Sequence, residues 1–216
     1  MLQEPDPPSP AASVAGRSAQ LNASTHIERG WNLISRGEHT AAEEELQKAI
    51  ALVPGDTQAA ALLGWALMLQ EKYDDALVQF YSVLQRDPQH AIARVNVGYI
   101  CLKKAIYGEA IEHLTRCIKE STDRKATLYA HFYLGLLYSQ REMYNDAEAF
   151  LGRALSLGPS LIEAYFELGR ARWFGGNKDG ARQAWRDGAA AGKFSPWGSK
   201  CAAMLEEADA GGAPSR

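Results

Sequence analysis

The sequence predicts an all-α protein, an α-solenoid of stacked antiparallel helical hairpins, and three observations carry that prediction. Gly30, Gly64 and Gly98 stand 34 residues apart, and after one step of 37 the series resumes with Gly135 and Gly169, again 34 apart. Twelve residues after each glycine comes an alanine: Ala42, Ala76, Ala110, Ala147 and Ala181. Around these marks apolar residues recur at spacings of three and four, which is one face of a helix. A unit of this size cannot bury its own apolar face, so neighbouring units stack over a shared core.

Taken in order, residues 1–19 carry Pro5, Pro7, Pro8 and Pro10 among small and polar residues. They cannot bury enough apolar surface to offset the entropy of ordering, and a disordered N-terminal tail is expected. The folded domain is expected over 20–208, with repeats near 23–56, 57–90, 91–127, 128–161 and 162–195. In each first helix, Leu63, Val97, Leu134 and Leu168 precede the glycine, and Leu33, Leu67, Cys101 and Tyr138 follow three residues after it. In each second helix, a large apolar residue stands four after the alanine: Leu46, Phe80, Leu114, Leu151 and Trp185. Three further on come Ala49, Val83, Cys117, Ala154 and Gly188.

Pro54, Pro88 and Pro159 close three of the units, because a missing N–H and a fixed φ end one helix. Between the third and fourth units the proline is absent, and Ser121 to Thr127 carries the three extra residues. A longer, irregular connection is expected there. Ser195 and Pro196 form an N-cap and first-turn pair, with Trp197, Cys201, Met204 and Leu205 on one face beyond them, which predicts a capping helix over 196–208. Residues 209–216, with Gly211, Gly212 and Pro214, are expected to be a disordered C-terminal tail.

Composition narrows the function classes. With 46% hydrophobic residues among 216, the chain folds around a core, and a net charge of -3 gives no general attraction to phosphate backbones. Nucleic acid is therefore not expected as a partner. No run of eighteen apolar residues occurs, so direct membrane insertion is not expected either. Met1 to Pro10 is acidic and proline-rich where a signal peptide is basic and then apolar, which predicts a cytoplasmic location. The three cysteines include no CxxC pair, and Cys101 and Cys117 occupy core-facing places as small hydrophobes. Of five histidines, His26 and His131 share one repeat place and His39, His90 and His113 fall at helix edges, so they do not cluster. No catalytic residue, metal site or cofactor is expected, and the chain is not read as an enzyme. The run Glu43, Glu44, Glu45 lies early in a second helix, where carboxylates suit the helix dipole, and reads as a solvated face.

The pattern Leu-Gly, a large residue three on, then Ala, a large apolar residue and Pro resembles the tetratricopeptide repeat. The second unit, with Leu63, Gly64, Leu67, Tyr73, Ala76, Phe80 and Pro88, matches it best, and the fourth, with Leu134, Gly135, Tyr138, Tyr144, Ala147, Leu151, Ala154 and Pro159, nearly as well. The resemblance covers about residues 22 to 192. Arg29 in the first unit and Arg172 in the fifth depart from it, as terminal units do where one side meets solvent. It implies a right-handed superhelix whose first helices line a concave surface that holds a partner peptide or helix.

On the first helices, Ile27, Ala61, Val95, Phe132 and Phe166 stand three before the glycine. Trp31, Trp65, Tyr99, Leu136 and Arg170 stand one after it, and Ile34, Met68, Leu102, Ser139 and Trp173 four after it. These places form a second stripe, offset from the core-facing one. Either it is packed between neighbouring first helices as core, or it is an exposed groove in which Trp31, Trp65 and Tyr99 make an aromatic ladder. The candidate partner-binding residues are Ile27, Trp31, Ile34, Trp65, Met68, Val95, Tyr99, Leu102, Phe132, Phe166, Arg170 and Trp173. Family members that grip a chaperone's C-terminal carboxylate use lysines and asparagines where this chain has Ile27, Trp31 and Trp65, so the resemblance implies no such clamp. Arg170, Arg172, Lys178, Arg182, Arg186, Lys193 and Lys200 concentrate cations near the last hairpin, either as a salt-bridged surface or as a dock for an acidic segment.

The function expected is a non-enzymatic scaffold or adaptor that binds a protein partner, a helix or apolar peptide, within a larger complex. Two other readings stay open: a chaperone for apolar segments of secreted or membrane-inserting clients, and a structural, self-assembling homo-oligomer whose groove is filled by another copy.

Overall fold

The computed structural model describes residues 10–211. It is helical, with eleven helices and no strand among the described residues, and it divides into two compact units at Asn96/Val97. The first, up to Asn96, holds α1 (Pro10–Ser35), α2 (His39–Leu52), α3 (Thr57–Leu69), α4 (Tyr73–Arg86) and the start of α5 (Ala91–Lys103). The second, from Val97, holds the rest of α5, then α6 (Tyr107–Glu120), α7 (Arg124–Gln140), α8 (Tyr144–Leu157), α9 (Ile162–Phe174), α10 (Lys178–Ala191) and α11 (Pro196–Asp209).

Within each hairpin the repeating glycine is where the second helix closes on the first. A Cβ on Gly30, Gly64, Gly98, Gly135 or Gly169 would come within 2.6, 2.9, 2.6, 2.5 and 2.1 Å of Leu46, Phe80, Leu114, Leu151 and Trp185 respectively. Those five side chains are fully buried, as are the five alanines of the repeat. Interiors pack at crystal density, so a large side chain lying flat on a glycine leaves no space for a methyl group. Trp185 also donates its Nε1–H to the Phe166 carbonyl at 3.1 Å, which satisfies the indole while it is buried.

Every hairpin turns through three residues, and the middle one takes a left-handed backbone. These are Gly37, Glu71, Ala105, Glu142 and Gly176, with φ of 80°, 60°, 58°, 58° and 91°. The next N–H returns to the carbonyl five residues back, as from Lys72 to Leu67 at 2.9 Å and from Ile106 to Cys101 at 2.8 Å, closing the helix end in a Schellman arrangement.

Two sequence expectations meet a different outcome. The connection before the fourth repeat is short: only Ser121–Asp123 separates α6 from α7, and the extra residues lengthen α7 to 17. Without a proline the chain is free to start its helix early, and the Asp123 carboxylate accepts from the Lys125 and Ala126 amides at 2.8 and 3.0 Å. At the N-terminus, α1 reaches back to Pro10, ten residues before the expected domain start at 20. Proline is tolerated in a first helical turn, and Ala11, Ala12, Ala15 and Ala19 favour helix. The remainder of the expected tail, residues 1–9, and residues 212–216 lie outside the described residues.

The acidic run is also more than a solvated face. Glu45 and Glu43 retain only 15% and 17% side-chain exposure. Glu45 joins α2 to α1 through His26 Nδ1 at 2.8 Å, and also meets Lys48 Nζ at 2.5 Å. These partners, Lys48 first and then His26, hold its carboxyl down at about 2. Glu43 accepts from Lys72 and Gln70 at 2.8 and 2.9 Å, joining α2 to the turn between α3 and α4. At the other end α11 covers the last hairpin. Its Ser195 Oγ accepts from the Gly198 amide at 3.0 Å, Pro196 opens the first turn, and Cys201, Met204 and Ala208 are buried with Trp185. No helix of the described residues is long and apolar enough to cross a membrane.

Candidate partner-binding faces

In the first unit, the place one residue after the glycine carries Trp31 on α1 and Trp65 on α3. Their ring centroids are 5.6 Å apart at 41°. Trp31 keeps 49% of its surface exposed, and Trp65 and Met68 are half-buried. A tilted pair of this kind offers a large, rigid apolar surface with few rotamers to lose on binding.

Half of the ten flanking places have gone inside, while Ala61, Met68, Ser139, Phe166 and Trp173 stay partly exposed. Ile27, Ile34, Val95, Leu102 and Phe132 are all buried, so these five of the twelve candidate residues support the faces from beneath. The physical reason is the width of the stripe. A stripe that spans three places on a helix is wide enough for its margins to meet neighbouring helices, and at these five places they do.

In the second unit the aromatic series runs Tyr99, Tyr133, Tyr129. Tyr99 and Tyr133 lie 4.8 Å apart, and Tyr129 and Tyr133 5.9 Å apart. Tyr129 and Tyr133 occupy places six and two before the glycine of α7, and Glu163 and Glu167 occupy the same places on α9. The two tyrosines were missed in the sequence and the two glutamates read only as offsetting the C-terminal cations, although their i, i+4 repetition in consecutive units is the signal that finds them. Burial, helped by the neighbouring Tyr99, Tyr129 and Glu163, pushes the Tyr133 phenol well above its ordinary range. Burial likewise pushes the Glu163 and Glu167 carboxyls up. Glu167 is answered by Arg170 at 3.2 Å.

Beside this face, Leu136, Ser139, Tyr144, Glu167, Arg170 and Phe174 help to line a cavity of about 290 Å3. The Ser139 hydroxyl is buried there and has no partner among the described residues.

The remaining candidates are engaged within the fold. Phe166 packs on Trp197 at 5.3 Å, and Trp173 packs on Trp185 at 5.8 Å, with Lys178 and Arg182 over its ring. The C-terminal cations are partly salt-bridged and partly set over rings: Arg172 pairs with Glu148 at 2.8 Å and Arg182 with Asp179 and Asp209 at 3.4 and 3.0 Å, whereas the Lys200 ammonium lies 3.9 Å from the Trp197 centroid. The three cysteines are buried and none forms a disulfide among the described residues, and burial pushes Cys101 and Cys201 up to about 11, the protonated, unreactive form. The His131 ring lies tilted against Phe150 at 5.9 Å, and burial lowers its affinity for a proton. What these faces offer chemically is apolar contact, ring stacking and carboxylate acceptors.

A family model described as tetratricopeptide repeat matches residues 27–91. Among curated proteins, the BBSome complex member BBS4 of Bos taurus is 28% identical over 138 residues, which is 64% of this chain and 26% of that protein. The chain thus spans about a quarter of that relative's length. Among solved structures, PilW, a type IV pilus biogenesis factor, superposes with a TM-score of 0.75 at 18% identity, covering 87% of this chain and 88% of that one. A thermophilic TPR protein of Thermus thermophilus superposes with a TM-score of 0.69 at 20% identity, covering 87% and 99%. At such identities the structures speak for the fold alone.

Proposed function

We propose that this chain, a tetratricopeptide-repeat protein, is a non-enzymatic adaptor that holds a helix or apolar peptide of a partner protein against its first-helix faces. One observation carries the reading: Trp31 stays half exposed while its ring packs, tilted, against Trp65. Trp and Tyr dominate binding hot spots, and an indole left in water on a rigid scaffold costs hydration that a partner would relieve. An amphipathic helix suits such a face, since its own stripe recurs at three and four residues. That similar proteins are named as a complex member and as a pilus biogenesis factor suits a subunit of a larger assembly.

The test is affinity capture from native extract with the wild-type chain and a Trp31→Ala, Trp65→Ala variant, after circular dichroism shows equal helicity. The adaptor reading expects one defined partner to be lost. Loss of many apolar clients would make the protein a chaperone, and a mass that doubles with concentration in the wild type alone would make the face a self-assembly surface. Unchanged capture would remove the indole pair from the site.

A further inference from the structure

We propose that the tyrosine-lined face of the second unit, formed by Tyr99, Tyr129 and Tyr133 with Glu163, receives a cationic side chain, arginine or lysine, of the partner segment. This rests on reading the first-helix faces as binding surfaces and states the partner's chemistry at one of them. The Tyr133 ring lies 4.8 Å from Tyr99 and 5.9 Å from Tyr129, and phenol rings carry negative faces to which guanidinium and ammonium groups are drawn. On α9, Glu163 bears electrostatically on the Tyr133 phenol, and Glu167 stands one turn further along the same helix. They differ in their company. Glu167 already has Arg170 at 3.2 Å. Glu163 makes no hydrogen bond or ion pair with any described residue, and the cation that bears on it, Lys200, is drawn aside over the Trp197 ring at 3.9 Å. A carboxylate removed from water without a counter-charge raises the free energy of the empty face, and a guest cation would offset that cost. An anionic guest would meet Glu163 and Glu167 directly, and an apolar one would leave Glu163 desolvated and unanswered.

The test uses the full chain and two small probes, N-acetyl-arginine N-methylamide and its uncharged, isosteric citrulline counterpart. Binding is followed through the tyrosine ring signals by NMR, assigned by single Tyr→Phe substitutions. The arginine probe is expected to shift the Tyr99, Tyr129 and Tyr133 signals saturably, and the citrulline probe to bind at least about tenfold more weakly, the effect of one charge-assisted contact. Glu163→Gln should bring arginine down to the citrulline level, and Lys200→Gln, which removes the resident competitor, should strengthen it. Equal binding of the two probes, or no movement of these ring signals with either, overturns the proposal whether or not the variants fold. The outcome is separable from the adaptor reading. Partner capture that depends on Trp31 while arginine fails here removes only this pocket, and capture indifferent to Trp31 removes the adaptor reading whatever the probe does.

Discussion

At the scale of the residue, the glycine one helix away from a large buried side chain decides the most. Gly98→Ala would drive a methyl group to 2.6 Å from Leu114 and Gly64→Ala to 2.9 Å from a ring edge of Phe80. Overpacking of this kind costs about 1–3 kcal/mol, and we expect Gly98→Ala to lower the thermal midpoint more than Gly64→Ala. Calorimetry of the pair checks the order. A second residue ties stability to pH. The Glu45 carboxyl titrates near 2 when folded and near the ordinary glutamate value of about 4.3 when unfolded. Its folded value is the lower, so its contribution is complete above the unfolded value and is lost as pH falls from about 5 toward 2. Melting followed across that window should show wild type losing midpoint faster than Glu45→Gln, and equal slopes would refute the link. The glycines, the alanines and the large residues over them were legible in the sequence because each repeats with the period. Glu45 was not: its partner His26 lies on the preceding helix, and nothing in a run of three glutamates marks that the outer two turn inward while Glu44 stays exposed.

At the scale of the element, the turns are the place where sequence and backbone disagree. Ala105 holds a left-handed φ of 58° that glycine adopts freely, whereas Gly37 and Gly176 already supply glycine at the equivalent place. Ala105→Gly should stabilise its hairpin by up to about 1 kcal/mol, the left-handed penalty less the entropy glycine adds to the unfolded chain. Chemical denaturation reads that gain directly, and a loss would mean that the Ala105 methyl is packed. The start of α7 offers the opposite case. Asp123→Ala removes the cap on two amides and should cost about 1 kcal/mol, visible as faster hydrogen exchange at Lys125 and Ala126. The irregular connection read at Ser121 to Thr127 followed from a missing proline, a negative signal. The absence of a breaker let the following helix grow instead, and Asp123, a capping residue in plain view, was the mark to follow.

At the scale of the whole molecule, the hairpin count and the final cap were readable from one period and one Ser-Pro pair. The binding faces were readable only in part, because a helical stripe states which residues share a side and not how far a neighbour covers it. Trp31 stayed outside and Ile27 and Ile34, on either side of it, went in. The tyrosine pair of α7 was passed over for Phe132, the adjacent residue, which is interior. The cap has a consequence for the entire chain. Deleting α11 would uncover the surface of α10 around Gly188 and Trp185, now covered by Cys201 and Met204. Open solenoid ends of that sort associate. A chain ending at Ser195 should therefore elute as aggregate in size-exclusion chromatography with light scattering, where the full chain stays a defined species. Each large side chain sits sixteen residues after the glycine beneath it, inside one hairpin. Every copy of the repeat therefore carries both halves of its own fit. Gene duplication or unequal crossing-over in whole periods could add or drop a hairpin without a compensating substitution elsewhere, while the outward places, free of that fit, could diverge toward new partners copy by copy.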